Sequence, residues 1–144
     1  MPLINITLPQ NALSAEQEEQ LAQFASNALL TLEGMQQNPK AQMLSWVYFH
    51  KHPQNDYFIG GKRVAKPHYR FDVSIFANTM TERHKSQLTK QLTQEVLRLE
   101  GTDDNLMNAA RVWVMFHEVA DGNWGGAGQI YHLKDLMNMM QPKH

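Results

Sequence analysis

The chain repeats itself. Shifted by 67 positions, its first half falls on its second without a gap. Trp46-Val47-Tyr48-Phe49-His50 meets Trp113-Val114-Met115-Phe116-His117, and Leu32-Glu33-Gly34 meets Leu99-Glu100-Gly101. Gln20-Leu21 meets Gln87-Leu88, and Leu3 to Leu8 meets Arg70 to Ile75. Segments this far apart sharing one offset mark a duplicated and fused subunit. Two copies are too few for a solenoid, which needs about three stacked units to bury a continuous core.

Each half reads as strand, helix, strand. Leu3 to Leu8 and Arg70 to Phe76 alternate apolar with polar residues, as a strand with one buried face does. Ser14-Ala15-Glu16-Gln17 has capping-box spacing. Leu21, Phe24, Ala25, Ala28, Leu29 and Leu32 follow as a helical stripe that stops at Gly34. In the second half the stripe is Leu88, Leu92, Val96 and Leu99, closed by Gly101. Second strands are expected roughly from Leu44 to His50 and from Arg111 to Glu118. A helical crossover makes the two strands of each half parallel.

The expected fold class is therefore α/β (α+β): duplicated β-α-β units forming a four-stranded sheet with two helices on one face. No helix is left to cover the other face, so a homo-oligomer is expected. Residues 1–144 read as one domain, with repeat one at 2–61, a linker at 62–68, repeat two at 69–128 and a C-terminal extension at 129–144. The stretch from Pro53 to Pro67 is loop-like, with Gly60-Gly61 and the basic residues Lys62, Arg63 and Lys66. In the extension, Tyr131, Leu133, Leu136, Met137 and Met140 fit a short amphipathic helix docking on a neighbouring subunit; a frayed tail is the alternative.

Composition removes several classes of function. With 13 basic and 14 acidic residues, the chain gives no reason to expect a nucleic acid or a membrane surface as partner. No apolar run approaches the ~20 residues of a membrane span. Met1-Pro2-Leu3-Ile4-Asn5 lacks the basic and long apolar regions of a signal peptide, so a cytoplasmic location is the expectation. The absence of cysteine excludes disulfides, thiolate metal sites and cysteine nucleophiles. His50, His52, His68 and His84 raise the question of a metal, and His50-Lys51-His52 sets two rings on one strand face. No third ligand accompanies them, so neither a metal nor another cofactor is expected.

The start Met1-Pro2-Leu3-Ile4-Asn5-Ile6, the β-α-β plan and a glycine-containing turn after each second strand resemble the tautomerase superfamily. Its short members, such as 4-oxalocrotonate tautomerase, correspond to one half of this chain. Its fused members, such as malonate semialdehyde decarboxylase and cis-3-chloroacrylic acid dehalogenase, correspond to the whole. Phe49-His50-Lys51-His52-Pro53 with Tyr57-Phe58-Ile59-Gly60-Gly61 is similar to the dehalogenase group. Asp121-Gly122-Asn123-Trp124-Gly125 with Gln129-Ile130-Tyr131-His132-Leu133 looks more like the decarboxylase end of the family. The likeness spans roughly residues 2 to 136. It implies a homotrimer, which would supply the missing cover for the sheet.

The resemblance also implies a catalytic role for Pro2. Once Met1 is removed, the ring nitrogen of Pro2 is a free secondary amine. An ordinary α-amino group titrates near ~8, and burial in an apolar pocket or a nearby cation lowers that further. A base poised near neutrality can take a proton from carbon beside a carbonyl and return it elsewhere. If Met1 stays, the nitrogen is an amide and no base.

Candidate substrate-binding residues follow. Arg111, Trp113, Met115 and His117 share one strand face by the period-two rule, which would line the pocket beside a neighbour's Pro2; core packing for Trp113 and a solvated strand end for His117 are the alternatives. Trp124 falls where the short tautomerases place an aromatic pocket wall, or else packs the trimer. Asn123 orients a substrate or builds the turn. The arginine that usually starts each helix in the family is Leu13 in the first half and Met80 in the second. A substrate carboxylate needs a cationic clamp, so Arg111, Arg70, Lys62 and Arg63 are the replacements on offer, Arg111 the best placed. The dehalogenase's water-activating carboxylate falls at Gly126, its histidine at Leu29 and its tyrosine at Met115; the decarboxylase's arginine pair falls at Asn78 and Met80. Keto-enol proton transfer by Pro2 on a small 2-oxo or enol compound needs the fewest other groups. The rival reading is a trimer of the same fold that has lost catalysis and serves as a binding module.

Overall fold

In a computed structural model of the chain, residues 2–140 are described; Met1 and the last four residues of the extension, 141–144, lie outside them. The first half runs β1 (Leu3–Pro9), α1 (Ala15–Leu32), α2 (Pro39–Met43) and β2 (Trp46–His52). The second half runs β3 (Tyr69–Phe76), α3 (Glu82–Glu100), α4 (Leu106–Ala109) and β4 (Val112–Val119). A hairpin of β5 (Trp124–Gly126) and β6 (Gln129–Tyr131) follows, then α5 (Leu133–Met140). Ala15 and Glu82, Pro39 and Leu106, and Trp46 and Trp113 are each 67 positions apart, so the offset read from sequence governs every element of the duplication.

The sheet order is β2-β1-β3-β4. Each half contributes a parallel pair, β1 with β2 and β3 with β4. The halves join antiparallel through β1 and β3, where Asn5 sits opposite its own repeat mate Asp72. Ile4, Ile6, Leu8, Phe71, Val73 and Ile75 point to the helix side and meet Leu21, Ala25, Leu29, Leu88, Leu92 and Val96 in one core. Burying a side chain of this size contributes about 1.5–3 kcal/mol, which is what fixes the register. The other sheet face is open, with Trp46 56% and Trp113 67% exposed.

The structure refines three expectations. The second strands start later than the pattern suggests, at Trp46 and Val112, because α2 and α4 run up to them. Asn38 and Asn105 cap these helices through their side chains, and about one turn of helix is too short to leave a periodic signature. The extension packs its buried side on its own chain. Leu136 and Met140 of α5 are buried within the same chain, Asn38 Nδ2 donates to the Met140 carbonyl at 2.7 Å, and the Leu133 N–H donates to Asp121 Oδ1 at 3.0 Å. The β5–β6 hairpin turns the chain back to make this possible. The segment between the halves contains a 3-10 turn at Gln54–Asp56, and the Tyr57 hydroxyl ties it together by donating to the Lys66 carbonyl at 2.8 Å.

Candidate active site

Pro2 is buried at the head of β1, and its carbonyl accepts from the Trp46 N–H at 3.1 Å. A proline tolerates this place because the first residue of a strand need not donate to the ladder. Leu3 pairs with Ser74, so Pro2 lies beside the far end of β3. A cavity of about 340 Å³ opens at that end. Leu32, Glu33 and Met35 line it from the end of α1, and Phe76, Asn78 and Thr79 from the end of β3 and the turn beyond. Helix α5 closes it with Leu133, Leu136, Met137 and Met140. Trp124 stacks on the wall residue Phe76, with ring centroids 5.1 Å apart. Burial pushes the Glu33 carboxyl above its ordinary range, against an opposing pull from the amino-terminal charge.

Arg70, Trp113, Met115 and His117 sit together on the open sheet face, away from this cavity. Trp113 pairs with Arg70, Met115 with Asp72 and His117 with Ser74 across β3 and β4. Asp72 anchors the group: His117 Nε2 lies 2.8 Å from its Oδ1, and Arg70 Nε donates to its Oδ2 at 2.8 Å. Burial alone would raise the Asp72 carboxyl, but these two partners outweigh it and hold the carboxyl low. Asn123 is exposed in the turn before β5, its N–H donating to the Ala120 carbonyl at 3.0 Å. Of the named site residues, one chain thus brings only Trp124 to the Pro2 end of the helix side.

Arg111 does not share the face of Trp113. It precedes β4, is 6% exposed and turns to the helix side, where Nη1 and Nη2 donate to Glu100 at 2.9 and 2.7 Å and Nη1 also donates to the Pro67 carbonyl at 2.7 Å. Period-two alternation holds inside a strand, and Arg111 lies one residue outside it. Of the paired histidines, His50 Nε2 lies 2.7 Å from Asn5 Oδ1. Among the described residues no group of three or more His, Asp or Glu side chains is gathered to hold a metal.

No family model matches the sequence, and no curated protein does. Solved structures do match. Pt0534, determined after inactivation by 2-oxo-3-pentynoate, has 24% identity and a TM-score of 0.74, covering 93% of this chain and 98% of its own. N1, a member of the cis-3-chloroacrylic acid dehalogenase family, has 15% identity and a TM-score of 0.74, covering 97% of this chain and 92% of its own. A fused 4-OT solved as an asymmetric trimer has 19% identity and a TM-score of 0.70, covering 89% and 94%. The chain has the tautomerase fold.

On the tautomerase fold, the positions without arginine are positions of core. Leu13 is 7% exposed and Met80 6%, and both pack into the cluster between sheet and helices. A guanidinium at either place would need burial and a partner. Gly126 cannot hold the dehalogenase's carboxylate as the chain stands, because a Cβ there would run into the Tyr131 ring across the β5–β6 hairpin. Glu33 is the residue that strand and helix patterns do not single out. Its signal is the repeat itself, which places Glu33 on Glu100.

Proposed function

We propose that the chain, once Met1 is removed, is a cofactor-independent tautomerase or isomerase that moves a proton between carbon and oxygen of a small 2-oxo or enol compound, with Pro2 as base and acid. The observation that carries this is the burial of Pro2 at the head of β1, next in the sheet to the end of β3, whose Phe76 lines a cavity of about 340 Å³ with mainly apolar walls. Apolar surroundings disfavour a charged amine, while the Glu33 carboxyl on the cavity wall favours one. Inactivation of Pt0534 by 2-oxo-3-pentynoate, a conjugated ynone, fits a protein of this fold that carries a reactive nucleophile. Intact mass of the purified protein is expected to lack Met1, and incubation with 2-oxo-3-pentynoate is expected to add one equivalent that peptide mapping places on Pro2. A species that keeps Met1 defeats the enzymatic reading.

The open sheet face favours assembly as a trimer. Trp46 and Tyr48 on β2 and Trp113 and Met115 on β4 are exposed on this face, one pair at each edge of the sheet, and exposed apolar groups of this size mark protein contacts. Trp113, Met115, His117 and Arg70 could then act on a substrate only across a subunit boundary. Light scattering is expected to give three times the 16.6 kDa chain mass; a stable monomer contradicts the proposal. The second reading, a trimeric binding module without catalysis, has one observation in its favour. Leu13 and Met80 are core, and Arg111 is committed to Glu100, so no described arginine faces the cavity.

A further inference from the structure

The duplication makes a second strand head, with a second cleft beside it. Tyr69, at the head of β3, is the repeat mate of Pro2, and Tyr57 is the mate of Trp124. The bridge between Ile59 and Lys62 repeats the Gly126–Gln129 pair of the β5–β6 hairpin at the same offset. This first-half turn lies in the segment joining β2 to β3, and with the head of β3 it encloses a cavity of about 320 Å³. The cavity is at the end of the sheet away from Pro2, since Leu3 pairs with Ser74 but Thr7, one of its lining residues, pairs with Arg70. Tyr69 cannot do there what an amino-terminal proline does. Its nitrogen is an internal amide, and its N–H donates to the Arg111 carbonyl at 2.8 Å. The second cleft can bind, but it has no base of that kind.

Its walls are rings and arginines. His52, Tyr57, Phe58, His68 and Trp113 line it together with Arg70 and Arg111, and no carboxylate side chain is among the described lining residues. The rings are fixed before any ligand arrives. Tyr57 contacts both imidazoles, with centroids 5.0 Å from His52 and 5.9 Å from His68, within the range of favourable ring pairs. His52 Nδ1 donates to the Pro53 carbonyl at 3.0 Å and His68 Nδ1 to the Lys66 carbonyl at 3.1 Å. The Arg63 guanidinium lies over the Phe58 ring, 4.9 Å from its centroid. A wall held in this way loses little freedom when a planar ligand enters.

The donors point to an anion. Arg111 is 6% exposed, and while its terminal nitrogens hold Glu100, its Nε is buried with no acceptor among the described residues. A buried N–H without an acceptor is costly, and an oxygen placed in the cleft relieves it. Arg70 uses only Nε on Asp72, and its side chain is 54% exposed. The segment from Pro53 to His68 adds Lys62, Arg63 and Lys66 against Asp56 alone. We propose that this cleft is a second, non-catalytic binding site for a small aromatic carboxylate. Its ring packs against Tyr57, His68 and Trp113, and its carboxylate accepts from Arg111 Nε and from Arg70. The volume is at the low end of ligand pockets, ~300–1,000 Å³, which suits a single ring. The site needs nothing from the reading of Pro2.

The test titrates the full chain with benzoate and with benzamide, its uncharged counterpart of the same shape, by nuclear magnetic resonance. Benzoate is expected to move the Arg111 Nε–H signal, identified by its absence from Arg111→Lys, and the ring signals of Tyr57 and His68 along one saturable curve. Benzamide is expected to bind about tenfold more weakly or worse, as the loss of charged hydrogen bonds implies. Arg70→Gln is expected to weaken benzoate by about tenfold and benzamide by less than threefold. Met137→Ala, on the wall of the cavity near Pro2, is expected to leave both within twofold. Benzamide binding as well as benzoate overturns the anion. Benzoate weakened by Met137→Ala and not by Arg70→Gln sits near Pro2, which overturns the second site. No saturable shift of the Arg111 signal means that nothing enters the cleft, whether its own turn or a neighbouring subunit fills it, and overturns the proposal outright.

Discussion

Pro2→Ala, made in the chain lacking Met1, is expected to lower kcat/KM for enol ketonisation by about 10²-fold, at the lower end of what a positioned acid–base group supplies. The variant keeps an amine at the same place, so why should it fail? Alanine's primary amine rotates freely, whereas the pyrrolidine ring fixes φ near −65° and with it the direction of the nitrogen lone pair. Positioning of the reacting groups carries much of a proton-transfer rate. KM is expected to move less than threefold, because the walls from α1, β3 and α5 are untouched. Retention of Met1 is expected to be more damaging, about 10⁴-fold, because a tertiary amide nitrogen offers no lone pair for a proton. The measurement is the decay of enol absorbance with each form, after mass has established its amino terminus. Equal rates for wild type and Pro2→Ala would leave the binding-module reading in possession of the fold.

The duplication legible in sequence extends in the structure to individual side-chain pairs. Both long helices open with a capping box, Ser14 with Gln17 and Thr81 with His84. His50 reaches Asn5 at 2.7 Å, and His117 reaches Asp72 at 2.8 Å. Lys51 pairs with Glu18 and Lys85 with Glu118, so the same helix–strand bridge recurs with its charges exchanged. An offset that maps one half's contacts onto the other's is a statement about three-dimensional structure, and the β-α-β plan read at that offset gave the parallel pairs and the open face.

What sequence patterns missed lies where elements end. Period-two alternation assigns a face only within the strand, and Arg111 stands just before β4, where the end of α3 rather than the pleat decides its direction. The amphipathic stripe of α5 said that one side must be covered but not by what; the β5–β6 hairpin decides that, and no periodicity reports a hairpin's direction. The cavity is made by three chain segments far apart in sequence, so its lining is invisible to any local pattern. Glu33 was visible as a repeat mate of Glu100, yet the repeat told of its place and not of its surroundings. The neighbours differ between the halves, since Leu44 takes in the first the place that Arg111 holds in the second.

That difference makes Arg111 the sharpest test of which residues belong to the site. Arg111→Met is expected to cost about 3–5 kcal/mol of stability, the range for breaking a buried ion pair by removing one partner. Both side chains are shielded, Arg111 6% and Glu100 7% exposed, so solvent cannot take over the abandoned carboxylate. The Tyr69 hydroxyl, which donates to Glu100, cannot replace a guanidinium making two bonds. Burial, with the Glu100 charge beside it, holds the Tyr69 phenol well above its ordinary range, so it stays a neutral donor. For a domain of this size each kcal/mol lowers Tm by roughly 2–4 °C, and a drop near ~10 °C is the expected calorimetric result. Glu100→Gln combined with Arg111→Met should recover part of the loss, because the double variant leaves no uncompensated charge and the two sites share one interaction. Turnover per folded molecule should stay within twofold of wild type, since the pair lies at the strand end opposite Pro2. A variant that kept its Tm but raised KM tenfold would place Arg111 in substrate recognition after all, and would require its guanidinium to leave Glu100 when substrate binds.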